Sequence, residues 1–212
     1  MIHLYGSVKS ITAVAVSGGP DSMAALSFLS NHRPSLTAIY FHHETEHGEI
    51  AHQFINNYCN QHRIPLIVGR LKADRMPKES QEEFWRNQRY TFLHNQPHLI
   101  ATAHHLDDAA ETYLWGCIHG QPRFIHYQQP GPTGPTNIAR PFLLTSKQSL
   151  LDWCLRHQIP FLQDPSNNDV NYVRNRIRHN ILPEVLKANP GFLTIIKKLV
   201  SQQLVRRTDV VR

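Results

Sequence analysis

Two stretches of this 212-residue chain combine residue types and spacings that can do chemistry: Ser17-Gly18-Gly19-Pro20-Asp21-Ser22 and His104-His105-Leu106-Asp107-Asp108-Ala109-Ala110-Glu111-Thr112. In the first, adjacent glycines let the backbone approach a ligand closely and take positive φ without steric cost. Asp21 or Ser22 can cap the helix that follows. A helix N-terminus offers unpaired N–H groups and a partial positive charge, which together hold an anion. The turn is suited to phosphate. It lacks the longer spacing and Lys-Ser/Thr ending of a Walker A loop, and the third spaced glycine of a dinucleotide fingerprint. In the second stretch, Asp107 is placed as an N-cap, and Asp108 and Glu111 share one helix face. Such a carboxylate pair can bind Mg²⁺ or a cationic amine, or simply complement the helix dipole. The adjacent rings of His104 and His105 point apart, which argues against zinc.

The elements that must position these residues alternate. Residues 11–16 (ITAVAV) read as a buried strand, and residues 22–29 as a helix. A strand over 36–41 precedes a helix over 49–62, whose apolar residues recur at helical spacing. Residues 64–68 form a short strand broken by Pro65, which suits an edge or a strand start. A helix over 79–93, a strand over 99–103 and a helix over 107–117 follow. The expectation is an α/β fold: an open, mostly parallel sheet with helices on both faces. His104–Thr112 then lies at the carboxyl end of the fourth strand, where open α/β sheets bind ligands. Residues 120–137 read as a long irregular surface loop, Arg140-Pro141-Phe142-Leu143-Leu144 as renewed core, and 146–157 as an amphipathic helix started by Ser146. Residues 164–169 are turn chemistry. A basic helix over about 173–186 and a last one over about 192–206 complete the chain. This suggests a domain over 1–185 and a short helical C-terminal extension over 186–212.

Composition sets outer bounds. Hydrophobic residues at 41% and charged residues at 18% suit a globular fold. No apolar run approaches the ~20 residues of a membrane span, and the first residues lack a signal-peptide core, so a cytoplasmic location without a membrane partner is expected. Cys59, Cys117 and Cys154 form no C-x-x-C pair, which speaks against a zinc ribbon, an iron–sulfur cluster or a redox pair; each is expected to be a small buried side chain. The formal net charge of +6 favours a polyanionic partner. Arg174, Arg176, Arg178, Lys187, Lys197 and Lys198 are opposed in their stretch only by Glu184, and Arg206, Arg207 and Arg212 extend the trend. Alternate arginines at 174, 176 and 178 present charge on several faces, which fits phosphate contact better than a helix-end salt-bridge network. His42, His43 and His47 read as solvated loop histidines rather than metal ligands or nucleotide-site walls.

The S-G-G-x-D-S arrangement resembles the PP-loop of the ATP pyrophosphatases. Followed by H-H-x-D-D-x-x-E-T, it resembles the paired signature of the tRNA(Ile)-lysidine synthetases. Trp85-Arg86-Asn87-Gln88-Arg89-Tyr90 is similar to that family's A-R-x-x-R-Y helix. Arg140-Pro141-Phe142-Leu143, Asp164-Pro165-Ser166-Asn167 and Arg174-Asn175-Arg176-Ile177-Arg178-His179 look like further motifs in the family's order. The resemblance runs from about Thr12 to Gly191. It departs after the second motif, where the family's R-G-x-G stretch is replaced by Ile118-His119-Gly120-Gln121-Pro122, and most relatives continue well past Asn189-Pro190-Gly191.

What the resemblance implies is a Rossmann-like fold using ATP and Mg²⁺. Such an enzyme adenylates the C2 carbonyl oxygen of the wobble cytidine in a tRNA(Ile) with a CAU anticodon. The ε-amine of L-lysine then displaces AMP. Carried onto this chain, Ser17, Gly18, Gly19, Asp21 and Ser22 bind the ATP phosphates, and Asp21 also holds Mg²⁺. Asp21, His104 and Arg86 take part in catalysis. Asp108 and Glu111 hold the lysine α-ammonium group, and Arg174, Arg176 and Arg178 contact tRNA or nucleotide. Oligomeric state is left open, a homodimer being compatible. The alternatives are a PP-loop enzyme that adenylates another RNA base or a small molecule, for thiolation or amide synthesis, or an RNA-binding remnant. Thiolation normally needs cysteines, and the intact Asp21, Ser22, Asp108 and Glu111 speak against a remnant.

Overall fold

The chain is built on Ala13–Val16 (β1), a strand buried on both faces that sits at the centre of a six-stranded sheet. A computed structural model describes residues 1–72, 75, 80–129, 137–163 and 173–208. Its other strands are Thr37–His42 (β2), Leu66–Arg70 (β3), Ile100–Ala101 (β4), Gln128–Gln129 (β5) and Ile138–Ala139 (β6). The order is β3-β2-β1-β4-β6-β5, with β5 antiparallel to β6 and every other pairing parallel. Strand alternation sorts the side chains. Val14, Val16, Ala38, Tyr40, Ala101 and Ala139 belong to one core cluster, and Ala13, Ile39, Ile100 and Ile138 to another on the opposite face. Because both faces are covered, the strands read as continuous apolar runs.

Pro20–His32 (α1), Glu46–His62 (α2) and Lys147–Arg156 (α5) contribute to the first cluster, and Gln81–His94 (α3) covers the other face through Tyr90, Phe92 and Leu93. The helix starts explain where sequence and structure differ. Neither Asp21 nor Ser22 caps α1; Gly19 is the N-cap, without a side-chain bond, and Pro20 takes the first helical position that its fixed φ suits. α2 begins earlier than its apolar periodicity indicates, because Thr45 Oγ1 accepts from Gly48 N at 3.0 Å. Ser80 and Ser146 cap α3 and α5 in the same way. β3 is an edge strand, and Pro65 lies just outside it, its carbonyl accepting from Ala38 N. β5 falls in the stretch read as irregular loop; residues 130–136 of that stretch and the turn at 164–169 lie outside the described residues.

Leu106–Ile118 (α4) packs against the C-terminal helices. The basic helix read from the sequence is three contiguous pieces: Val173–Arg176 (α6), a π-helical stretch Ile177–Ile181, and Leu182–Ala188 (α7). Pro183 has no N–H to donate, and the wider π turn just ahead of it accommodates the break. Phe192–Thr208 (α8) buries Ile196 and Val200 in one cluster with Leu106, Ala109, Ala110 and Leu182. Tyr5 ties the N-terminal segment to the same cluster, its hydroxyl donating to Val200 O at 2.6 Å. Among the described residues no helix is long and apolar enough to cross a membrane.

Candidate active site

The Gly18–Gly19 turn joins β1 to α1 at the carboxyl edge of the sheet. Gly18 has φ +84°, so of the two turn glycines it is the one whose backbone disfavours a side chain, and its carbonyl accepts from Leu162 N at 2.8 Å. Gly19 has an ordinary φ of −73°, and a Cβ there would meet only Ser17 Oγ, at 3.6 Å. Its missing side chain therefore leaves an open approach. Ser22 is buried and closes the turn: its Oγ accepts from Ser17 N at 3.1 Å and donates to Gly19 O at 3.0 Å. With no side-chain cap on α1, the N–H groups of its first turn are available to an anion. Asp21 stands in that turn with Oδ2 3.5 Å from His105 Nε2, while its Oδ1 is buried without a hydrogen-bond partner. A buried carboxylate oxygen left in this way calls for a cation or a donor.

An open cavity of about 190 Å³ adjoins the turn; Ser17, Ser22, Thr102, His104, Asp108 and Arg174 line it, with Arg89 and Tyr90 forming its α3 wall. His104 Nδ1 is hydrogen-bonded to Thr102 Oγ1 at 2.9 Å. Burial, reinforced by Arg140, Arg174 and Arg89 and opposed by Asp108, holds its pKa well below the ordinary histidine value, so the ring is neutral at pH 7.

His105 turns away from the cavity and, in place of Asp107, caps α4. Its Nδ1 accepts from Asp108 N at 3.3 Å while its backbone N–H donates to Asp108 Oδ2 at 3.0 Å. Asp107 instead accepts from Lys147 N at 2.7 Å, joining the starts of α4 and α5. Burial alone would lower the His105 pKa, but Asp108, Asp21 and Asp107 outweigh it and push it up to about 9. The Nδ1 cap belongs to the neutral ring; on protonation Nδ1 becomes a donor, with Asp107 Oδ2 at 3.7 Å.

One turn further along α4, Asp108 and Glu111 face the same way and meet two arginines. Arg174 NH2 donates to Asp108 Oδ1 at 2.8 Å and its Nε to Glu111 Oε2 at 3.2 Å. Arg178 Nε donates to Glu111 Oε1 at 2.6 Å, and its NH2 reaches Glu111 Oε2 at 3.0 Å and Asp108 Oδ1 at 3.2 Å. Burial would raise the Asp108 pKa; the charges of His105 and Arg174 hold it well below the usual carboxylate range instead. Arg174 and Arg178 thus lie on one helix face and spend their guanidinium groups inward, whereas Arg176 is exposed.

On α3, Arg86 is exposed and lies over the Tyr90 ring at 4.9 Å, while its neighbour Arg89 reaches the cavity. Arg140, buried, donates from NH2 to Tyr90 OH at 3.4 Å and from NH1 to His126 O at 2.9 Å. Burial would raise the Tyr90 pKa, but Arg140, Arg86 and Arg89 lower it overall. His105, Arg89 and Arg140 were not singled out from the sequence. Arg89 and Arg140 stood inside quoted motifs, and nothing in the spacing told His105 from His104.

Arg174 and Arg178 thus form a salt-bridge network, which corrects the expectation of phosphate contact over such a network for these two arginines. The expectations for two histidines and one cysteine are corrected as well. His42 is buried as the last residue of β2, with Nδ1 accepting from Glu44 N at 2.9 Å and Nε2 3.3 Å from Glu49. His43 packs between Phe41 and Trp85, and burial with Arg89 and His42 nearby takes its pKa down to about 4. Neither is a solvated loop histidine. Cys117 is exposed, whereas Cys59 and Cys154 are buried as expected. Among the described residues no group of three His, Cys, Asp or Glu side chains is arranged to hold a metal ion. The orphaned Asp21 oxygen does fit Mg²⁺ of the kind that takes one carboxylate and completes its shell with phosphate oxygens and water.

A glycine turn with an uncapped helix start at the head of a parallel sheet shares one cavity with Asp108, and this is the architecture of a PP-loop α/β domain. The model of the PP-loop domain family matches residues 3–185, and the chain belongs to that family. The chain is 31% identical over 201 residues to the tRNA(Ile)-lysidine synthase of Lactiplantibacillus plantarum, an alignment covering 88% of this chain and 44% of that protein. With the tRNA(Ile)-lysidine synthase of Thermotoga maritima it shares 31% identity over 222 residues, 94% of this chain and 51% of the other. The chain therefore spans about half the length of these relatives. Among solved structures, the U34-tRNA thiolase of Methanococcus maripaludis superposes with a TM-score of 0.71 at 17% identity, covering 92% of this chain and 73% of that one. The NH3-dependent NAD synthetase of Campylobacter jejuni gives 0.51 at 10% identity, covering 93% and 86%. Both likenesses are of fold.

Proposed function

We propose that the chain is the catalytic part of an ATP-dependent ligase that joins L-lysine to C2 of the wobble cytidine of a CAU-anticodon tRNA(Ile). The observation that carries this reading is the placement of Asp108 at the wall of the same cavity as the Ser17–Ser22 turn, with Glu111 beside it. The names borne by the relatives supply the substrate. In the first step the cytidine C2 oxygen attacks the α-phosphorus of ATP and pyrophosphate leaves. The Gly19 face and the uncapped start of α1 hold the phosphates, and Ser22 fixes the turn around them. Mg²⁺ on Asp21 would neutralise charge on the departing pyrophosphate. Neutral His104 offers the nucleotide a hydrogen-bonding ring without a competing positive charge. Arg89, rather than Arg86, is the α3 arginine with access to the cavity; Arg86 acts through Tyr90.

In the second step the ε-amine of lysine attacks C2 and AMP leaves. The lysine α-ammonium group enters by exchange with arginine donors on Asp108 and Glu111. Arg174, freed in part, then faces the α-carboxylate. Arg176 is left as the arginine of the three that is available to RNA phosphate. Burial pushes the Cys59 and Cys154 thiols up to about 11, which leaves little thiolate at neutral pH and makes these two poor thiolation nucleophiles.

The test is pyrophosphate release with a CAU-anticodon tRNA(Ile), with and without lysine, together with the mass of the tRNA product. Release that depends on this tRNA, and a product heavier by one lysyl group, are expected. Release that is independent of RNA, or product formation with other amines but not lysine, would sink the assignment.

A further inference from the structure

We propose that His105 is a positioning residue that ties the phosphate turn to the amine-binding carboxylates, its Nε2–H bridging Asp21 Oδ2 and Asp108 Oδ2. The inference rests on the reading above, in which Asp21 serves ATP and Asp108 the amine. Its basis is geometric. His105 is 2% exposed, and Nε2 stands 3.5 Å from each of the two oxygens. The ring keeps a proton on Nε2 in both of its forms: as a neutral ring, because Nδ1 accepts from Asp108 N, and as a cation by definition. The groups facing it are Asp21 from α1 and Asp107 and Asp108 from α4, all acidic, so the bridge runs between like charges that would otherwise repel.

The bridge has a consequence for Asp21. With Oδ2 turned to the imidazole, Oδ1 is the oxygen left buried and without a partner beside the Gly18–Gly19 turn. His105 thereby fixes which carboxylate oxygen a ligand in the turn receives. A helix cap needs only an acceptor for the Asp108 N–H; it does not need a side chain long enough to reach α1. The neutral histidine supplies both, and the protonated one keeps the bridge.

Two measurements separate this role from capping. His105→Asn keeps a favoured N-cap acceptor and is too short for Asp21. Binding of ATP with Mg²⁺, measured by calorimetry without tRNA or lysine and below the melting transition of the variant, is expected to weaken about tenfold, the lower end of the 10–100-fold typical for residues that orient a metal ligand. The second measurement is a double-mutant cycle on the same binding reaction: if the two side chains act through one contact, Asp21→Asn combined with His105→Asn weakens binding no further than Asp21→Asn alone. Additive losses in the double variant, or wild-type ATP binding by a folded His105→Asn, would overturn the proposal and reduce His105 to a cap. Neither readout uses RNA or lysine. An enzyme inert towards tRNA and lysine would therefore defeat the ligase reading while leaving the Asp21–His105 link measurable.

Discussion

The two halves of the site are held in opposite ways. The Ser17–Ser22 turn is contiguous in sequence, and most of its bonds are internal, from Ser22 Oγ to Ser17 N and Gly19 O. The Asp108–Glu111 half is assembled from afar, its carboxylates depending on Arg174 and Arg178, more than sixty residues along the chain. The turn leaves unsatisfied groups for a ligand, namely the uncapped start of α1 and Asp21 Oδ1. The acidic pair is satisfied from within the protein. A substitution in the turn should therefore damage chemistry and spare the fold, whereas one in the acidic pair should damage both.

Breaking the acidic pair is the harshest test of that contrast. Glu111→Gln leaves Arg178 buried beside a neutral amide, and loss of one partner of a buried pair typically destabilises by about 3–5 kcal/mol. Because Arg178 keeps some solvent contact, with its side chain 20% exposed, the lower end is expected. Chemical denaturation measures it, and Glu111→Gln combined with Arg178→Gln should recover part of the loss. A loss under about 1 kcal/mol would mean that the cluster is no more than a surface network.

Next in size is Asp21→Asn. Its carboxylate stands in the first turn of α1 with one oxygen unused, so stability should fall by no more than about 1 kcal/mol through the loss of the His105 contact. Pyrophosphate release should fall by about two orders of magnitude, as for other groups that stabilise developing charge. Unchanged turnover would remove Asp21 from the chemistry.

This difference in construction also decides what could be read from the sequence. The turn was legible because its glycines, proline and acid are adjacent, and the parallel sheet was legible because both-face burial makes strands continuously apolar. Ser146 was placed correctly as a cap. Asp107 was not, because His105, two residues earlier, accepts from Asp108 N and starts the helix there, and residue type alone does not rank the two. Arg174 and Arg178 were legible as basic residues, but not as partners of Asp108 and Glu111. Their four-residue spacing permits a shared face, yet only the packing of α4 against the C-terminal helices brings that face to the acids. β5 and β6 were missed because neither stands in a longer apolar run, whereas the equally short β4 lies within the run 99–103. His42 was misread because a polar residue ending a buried strand can be satisfied by the turn that follows it.

The pH dependence of stability sharpens the comparison at the residue joining the halves. The folded-state pKa of His105 is raised from 6.5 to about 9. Its contribution is therefore fully present below pH 6.5 and is lost as pH rises through about 9. The size is on the order of a few kcal/mol at most. Denaturation midpoints should fall between pH 6.5 and 9 in the wild type and stay flatter in His105→Asn. Asp108 acts on the other side. Its pKa is depressed below the ordinary 3.8, so its contribution is present above that value and is lost as pH falls further. Parallel curves for wild type and His105→Asn would place the alkaline loss elsewhere.

The smallest expected effect separates inward from outward arginines. Arg174 and Arg178 are engaged with Asp108 and Glu111, while Arg176 is exposed on the same basic segment. A phosphate contact adds roughly 0.7–0.9 to the log–log salt slope of nucleic-acid binding. Arg176→Gln should therefore flatten the slope for tRNA by about one unit and leave the melting temperature alone. Arg178→Gln should leave the slope nearly unchanged and lower stability, because its charge already faces Glu111. The measurement is tRNA affinity across a salt series for the wild type and both variants, each alongside a thermal melt. If Arg178→Gln flattens the slope as much as Arg176→Gln, the acidic pair releases its arginine when RNA binds, and the two halves of the site exchange partners during turnover. If neither does, the basic segment is structural, and the RNA is held elsewhere.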